Sequence, residues 1–152
     1  MAEEEKPKKI RILVHADSPR VATGLGSVSR GIFDNLPRDK YDITIFGVND
    51  SGGWQDPGKY PYKIYPAMLA GVPGDFYGRV RFINVVRGAD LWIKPSWDII
   101  FTLNDPFIFE EPVLTPEIGM MDAVRDLREL YKEQVDPKHW FKIVSYWPVD
   151  SP

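Results

Sequence analysis

"IRILVHADSPRVATGLGSVSRGIF", residues 10–33, is the segment from which the architecture is read. Ile10 to Ala16 is a nearly continuous apolar run, as expected of a strand buried on both faces of a parallel sheet. Small polar residues, prolines and two glycines follow. Then Leu25, Val28, Ile32, Phe33 and Leu36 fall at i, i+3, i+7, i+8 and i+11, one face of a helix. Pro37 stops that helix, because its nitrogen carries no hydrogen to donate. A buried strand, a glycine-bearing turn and an amphipathic helix form the opening of a βαβ unit.

The same alternation continues. Tyr41 to Val48 is a second apolar strand, and "NDSGGWQDPG" after it is thick with turn formers. "YKIYPA" predicts a short third strand, at an edge. Val80, Ile83 and Val86 place a helix within Gly78 to Gly88, and "WDIIFTLND" is a fourth strand. Pro116 to Val135 reads as a third helix, with Met120, Val124, Leu127, Leu130 and Tyr131 on its apolar face. "FKIVSYWPVD" is a fifth strand, expected in the core. Strands alternating with helices predict an α/β fold: a Rossmann-like, doubly wound parallel sheet in three α/β/α layers. Residues 1–9 read as a solvated tail, and 10–152 as a single Rossmann-like domain.

Composition narrows the function. The chain has 152 residues, 43% of them hydrophobic, enough to fill the core of one domain. A net charge of -3 argues against a dedicated nucleic-acid binder, which normally carries a basic face. No apolar run approaches the roughly 20 residues of a membrane span, and the charged start "MAEEEKPKKI" has no signal-peptide core. With no cysteine there are no disulfides or thiolate metal sites, and a cytoplasmic location is expected. His15 and His139 are too few for a histidine-based metal centre, so no metal is expected. No cofactor is expected either.

In an open parallel sheet, ligands bind beyond the carboxyl ends of the strands. Thr23 is a candidate N-cap of the first helix, whose N-terminus offers free N–H groups and partial positive charge to a diphosphate. Gly24 and Gly26 let a ligand approach the backbone or, equally, simply make a tight turn. Arg30 and Arg20 are candidates to add a guanidinium. "GLGSVS" lacks the third glycine of the dinucleotide fingerprint, and the absence of G-K-[ST] excludes a Walker loop. Asp17, Asp105 and Asp150 each follow a strand. Together they are candidates to bind sugar hydroxyls or supply a general base; singly, each is also a common turn starter. Trp54, in a polar loop, is the candidate for stacking on a sugar. Trp97 and Trp140 are expected in the core, and His15 as a buried histidine.

As a set, "DSP", "TGLGSVSRGIFDNL", "YDITIFGV", "GDFYGRVRFINVV", "WDIIFTLNDPF" and "KIVSYWPVDSP" resemble the N-terminal domain of GT-B glycosyltransferases of the family-4 type. The similarity is greatest to its divergent phage and bacterial members. The resemblance implies two Rossmann-like domains with the active site between them, and a retaining transfer of sugar from a nucleotide-sugar donor to an acceptor. It matches Gly24, Leu25 and Gly26 to the glycine loop near the donor diphosphate. Asp105 and Asp150 match acidic positions after strands, which makes them the catalytic candidates. Val149 stands where many relatives carry histidine, so no imidazole role carries over. The family's E-x7-E motif and basic pair belong to a C-terminal domain that this sequence does not contain. The chain alone is therefore expected to be inactive and to need such a domain, or a partner chain, as well as the nucleotide-sugar and acceptor. The alternative is a non-enzymatic binding or assembly module that keeps the fold. A receiver-like signalling domain would need a lysine paired with its phosphoacceptor aspartate, and none is evident.

Overall fold

The computed structural model describes residues 7–53, 58–68, 75, 77–87, 97–110, 112–115, 118–134 and 141–147. The opening apolar run is strand β1 (Ile10–Asp17), buried from Ile12 onward. It is followed by α1 (Gly24–Phe33), β2 (Tyr41–Val48), β3 (Lys63–Pro66), α2 (Arg79–Val86) and β4 (Ile99–Leu103). After these come α3 (Pro106–Glu110), β5 (Pro112–Thr115), β6 (Ile118–Gly119), α4 (Met120–Gln134) and β7 (Lys142–Tyr146).

Five strands form one all-parallel sheet in the order β3-β2-β1-β4-β7, with β1 at its centre. Strand alternation sends Ile12, Val14, Ala16, Ile43 and Ile45 to one face, where they pack with Phe33 of α1. Leu13, Phe46 and Ile100 point the other way, against Phe82 and Val85 of α2, Phe109 of α3 and Met120 and Val124 of α4. The result is the predicted Rossmann-like, three-layer α/β/α arrangement. Leu25, Val28 and Ile32 of the α1 stripe flank the buried Phe33 as their spacing predicts, but the helix ends at Phe33, short of Pro37, and Leu36 joins the same cluster from beyond its end. Trp97 is buried, as expected, with the Arg11 guanidinium over its ring at 4.7 Å. Trp140 lies outside the described residues.

Three expectations need correction. The third predicted helix starts at Met120 rather than Pro116, because β5 and β6 form an antiparallel ribbon ahead of it. Gly119 explains the delay. A Cβ there would stand 2.7 Å from the Glu110 carbonyl oxygen, so the backbone of β6 lies directly on the end of α3. Helix α3 itself was not anticipated. "DPFIFE" carries its signal, an aspartate followed by proline at the first helical position. Finally, β7 is an edge strand rather than a core strand. Val144, Tyr146 and the adjoining Trp147 are exposed, since nothing among the described residues pairs with the strand's outer side.

Gly78, which begins α2, has φ +61 and sits against the core. A Cβ there would meet Phe46 Cε1 at 2.7 Å and the Ala67 Cβ at 3.1 Å. Gly78→Ala therefore combines a left-handed backbone with a steric clash, and should cost upward of about 1 kcal/mol. Urea unfolding of the variant checks this; an unshifted midpoint would contradict the packing described.

Candidate functional site

The chain steps outward from β1 to β2 and β3, then returns to the other side of β1 as β4 and β7. The reversal lies between β1 and β4, and at such a switch point the connections leave on opposite faces and open a crevice beyond the strand ends. Asp17, Ser18 and the turn into α1 stand at the end of β1 on one side of that point. Asn104 and Asp105 follow β4 on the other.

Burial forces the polar groups here to find partners within the protein, because an unpaired buried polar group costs about 1–3 kcal/mol. Asp17 is 5% exposed. It accepts a 2.6 Å hydrogen bond from the Thr23 hydroxyl and a 3.2 Å bond from Asn49 Nδ2. The Thr23 hydroxyl oxygen in turn accepts from the Gly26 N–H at 2.9 Å, so Thr23 is the N-cap of α1, as its position predicts. The buried Ser29 hydroxyl donates to the Asp17 carbonyl at 3.0 Å, tying α1 to β1. Beside this set lies a second. Asp50 accepts from Ser18 Oγ at 2.7 Å, from the Gly52 N–H at 3.0 Å and from the Arg20 guanidinium at 3.2 Å.

The predicted residues thus divide by role. Asp17 and Thr23 meet, but both are occupied in holding the turn. Gly26 is required by packing: a Cβ would stand 2.7 Å from the Val21 carbonyl oxygen. Gly24 is different, since a Cβ there would meet nothing within 4 Å. The backbone N–H groups of Gly24 and Leu25 make no hydrogen bond among the described residues. Leu25's side chain is half-buried against the core under α1. Arg30 does not reach into the crevice; its guanidinium donates to the Pro19 carbonyl at 2.7 Å and to Ser27 Oγ at 3.0 Å. Asp105 is half-buried, and its carboxylate has no hydrogen bond or ion pair among the described residues. Trp54 and Asp150 lie outside the described residues.

Several rim residues escaped the sequence reading: Ser18, Ser29, Asn49, Asp50 and Asn104. The rule that singled out the residues after β1 would have found Asn49 and Asp50 had it been applied to β2. Asn104 is 2% exposed; its Oδ1 accepts from the Asp105 N–H, while Nδ2 has no partner among the described residues. Ser29 was within reach as well: it falls four residues after Leu25 and four before Phe33, on the apolar face of α1, where a buried hydroxyl must find a partner.

His15 is the buried histidine expected. Its ring lies among Phe46, Phe82 and Phe109, and Nε2 donates to the Tyr77 carbonyl at 3.0 Å. Desolvation lowers its pKa from 6.5 to about 4, outweighing the Tyr77 carbonyl and Asp75, which raise it.

No protein-family model, curated protein or solved structure matches the chain. No helix among the described residues is long and apolar enough to cross a membrane, and none of their His, Asp and Glu side chains form a group of three or more able to hold a metal ion.

Two outcomes are expected. Gly26→Ala should destabilise the domain by about 1–3 kcal/mol through overpacking, whereas Gly24→Ala should cost much less; thermal unfolding of the pair tests the difference. For His15, the unfolded chain takes up a proton near pH 6.5 that the folded ring refuses until about pH 4. Stability is therefore full above about pH 6.5 and falls progressively toward pH 4, by up to about 3 kcal/mol from this residue. Urea unfolding between pH 7 and 4.5 should show a flatter pH dependence for His15→Gln than for the native chain.

Proposed function

We propose that the domain is the N-terminal, acceptor-side half of a retaining glycosyltransferase that moves sugar from a nucleotide-sugar to an acceptor. The observation that carries this reading is the pairing of two free features at the switch point. Among the described residues, the N–H groups of Gly24 and Leu25 in the first turn of α1 and the carboxylate of Asp105 at the neighbouring strand end have no partner, and nothing lies within 4 Å of where a Gly24 Cβ would stand. A helix N-terminus suits a diphosphate, because its N–H groups and partial positive charge converge there. A carboxylate suits the acceptor, since it accepts hydrogen bonds from sugar hydroxyls and can take a proton from an attacking one.

In this reading Asp17, Thr23, Gly26 and Arg30 are positioning residues. They hold the turn from which α1 starts. Asp150 and Trp54 keep the roles that the sequence suggests, carboxylate and stacking surface. A second domain, on the same polypeptide or on a partner, supplies the nucleotide pocket and the cations that stabilise the leaving diphosphate.

A second reading, a non-enzymatic binding or assembly module, draws on the engagement of Asp17, Thr23 and Arg30 inside the loop. The two separate experimentally. Titration of isotope-labelled protein with UDP-, GDP- and ADP-hexoses should perturb the amides of Gly24, Leu25, Asn104 and Asp105. Gly24→Val should weaken that response at least tenfold without lowering the melting temperature appreciably. If none of the donors perturbs those amides, the glycosyltransferase reading is lost and the module reading stands.

A further inference from the structure

Because all five strands of the main sheet run parallel, the residues that start them share one edge, opposite the switch-point crevice. Four lysines gather there: Lys9 just before β1, Lys40 just before β2, Lys63 opening β3 and Lys142 opening β7. In a chain of net charge -3 this is a local reversal of sign.

At the β1–β2–β3 side the edge is hollowed into a cavity of about 320 Å³. Lys9, Arg38 and Lys63 line it together with Tyr41, Tyr60 and Tyr62. None of the three cations makes a hydrogen bond or ion pair among the described residues. The acidic residue of the lining, Asp42, is turned to Arg11 at 3.7 Å. The aromatic wall is built rather than incidental. Tyr60 and Tyr62 stack at 5.7 Å between ring centroids, and the Tyr62 hydroxyl is anchored by donating to Asp34 Oδ1 at 2.7 Å. Lysines kept on a sheet edge merely for solubility would need neither a concavity nor an anchored pair of rings. Unpaired cations around a hollow of small-ligand size, beside flat aromatic faces, match a ligand that carries both phosphate and a ring.

We propose that this pocket binds a phosphorylated small molecule of the nucleotide class, its phosphate held by Lys9, Arg38 and Lys63 and its ring against the Tyr60–Tyr62 pair. The site lies at the end of the sheet remote from Gly24 and Asp105, and does not depend on the sugar-transfer reading.

Calorimetric titration at low salt with ADP, and separately with inorganic pyrophosphate, tests it. In the Gly24→Val background, which removes the α1 N-terminus as a second anion site, both should bind saturably at one site per chain. Arg38→Gln combined with Lys63→Gln, exposed positions whose loss leaves the unfolding midpoint unchanged, should weaken both at least tenfold. In the same background Tyr60→Ala should weaken ADP several-fold and spare pyrophosphate. Absence of saturable binding, or full affinity in the double variant, overturns the site. Loss of binding in Gly24→Val alone moves the anion to the opposite end of the sheet and overturns it too. Failure of Tyr60→Ala to separate ADP from pyrophosphate overturns the assignment of the ring.

Discussion

The central strand, β1, has neighbours on both edges and apolar layers on both faces, so polar groups at its carboxyl end are cut off from water. They must be satisfied by one another. Asp17 is held by Thr23 and Asn49, and Ser18 donates to Asp50, which also receives Arg20 and the Gly52 N–H. These bonds link the ends of β1 and β2 to the start of α1. The close approach of the two strand ends is visible at Gly47, where a Cβ would stand 2.7 Å from the Ser18 Cβ. Helix α1 consequently begins at a defined place, with the N–H groups of Gly24 and Leu25 unpaired among the described residues.

That frame separates two kinds of polar residue which look alike in a sequence. Some, such as Asp17 and Arg30, spend their hydrogen-bonding capacity inside the turn. Others, such as Asp105, have no side-chain partner among the described residues. Under the proposed function, chemistry with a ligand falls to the second kind, and the first kind positions it. Parallel strand direction also gives the two ends of the sheet different character. Aspartates and asparagines collect where the strands finish, while lysines and tyrosines collect where three of them begin.

Much of the fold was legible because its signals are local and periodic. Tyr41–Val48 is bounded as its apolar run suggested, and α1 buries the face that its 3.6-residue spacing marked. The departures lie where local pattern competes with packing. The helix read from Pro116 begins only at Met120, because Ile118 and Gly119 pair in a ribbon and Gly119 lies against the end of α3. Helix α3, five residues long, is too short to show periodicity at all. The apolar run of β7 matches that of an interior strand, yet strand order puts it at the edge.

The candidate site was legible in outline and not in detail. A glycine turn after a buried strand, and acidic residues at strand ends, are enough to locate a rim, because strand direction alone puts those residues at one end of the sheet. Which side chains stay available there is a matter of pairing across 30 or more residues, as between Ser18 and Asp50 or Asp17 and Asn49. The same holds for the burial of His15 and for the lysine–tyrosine cavity, assembled from segments before β1, β2 and β3. Periodicity and turn chemistry act between near neighbours and are written in order along the chain. Hydrogen-bond partnership, desolvation and concavity arise between distant segments, and exist only once the layers have closed around β1.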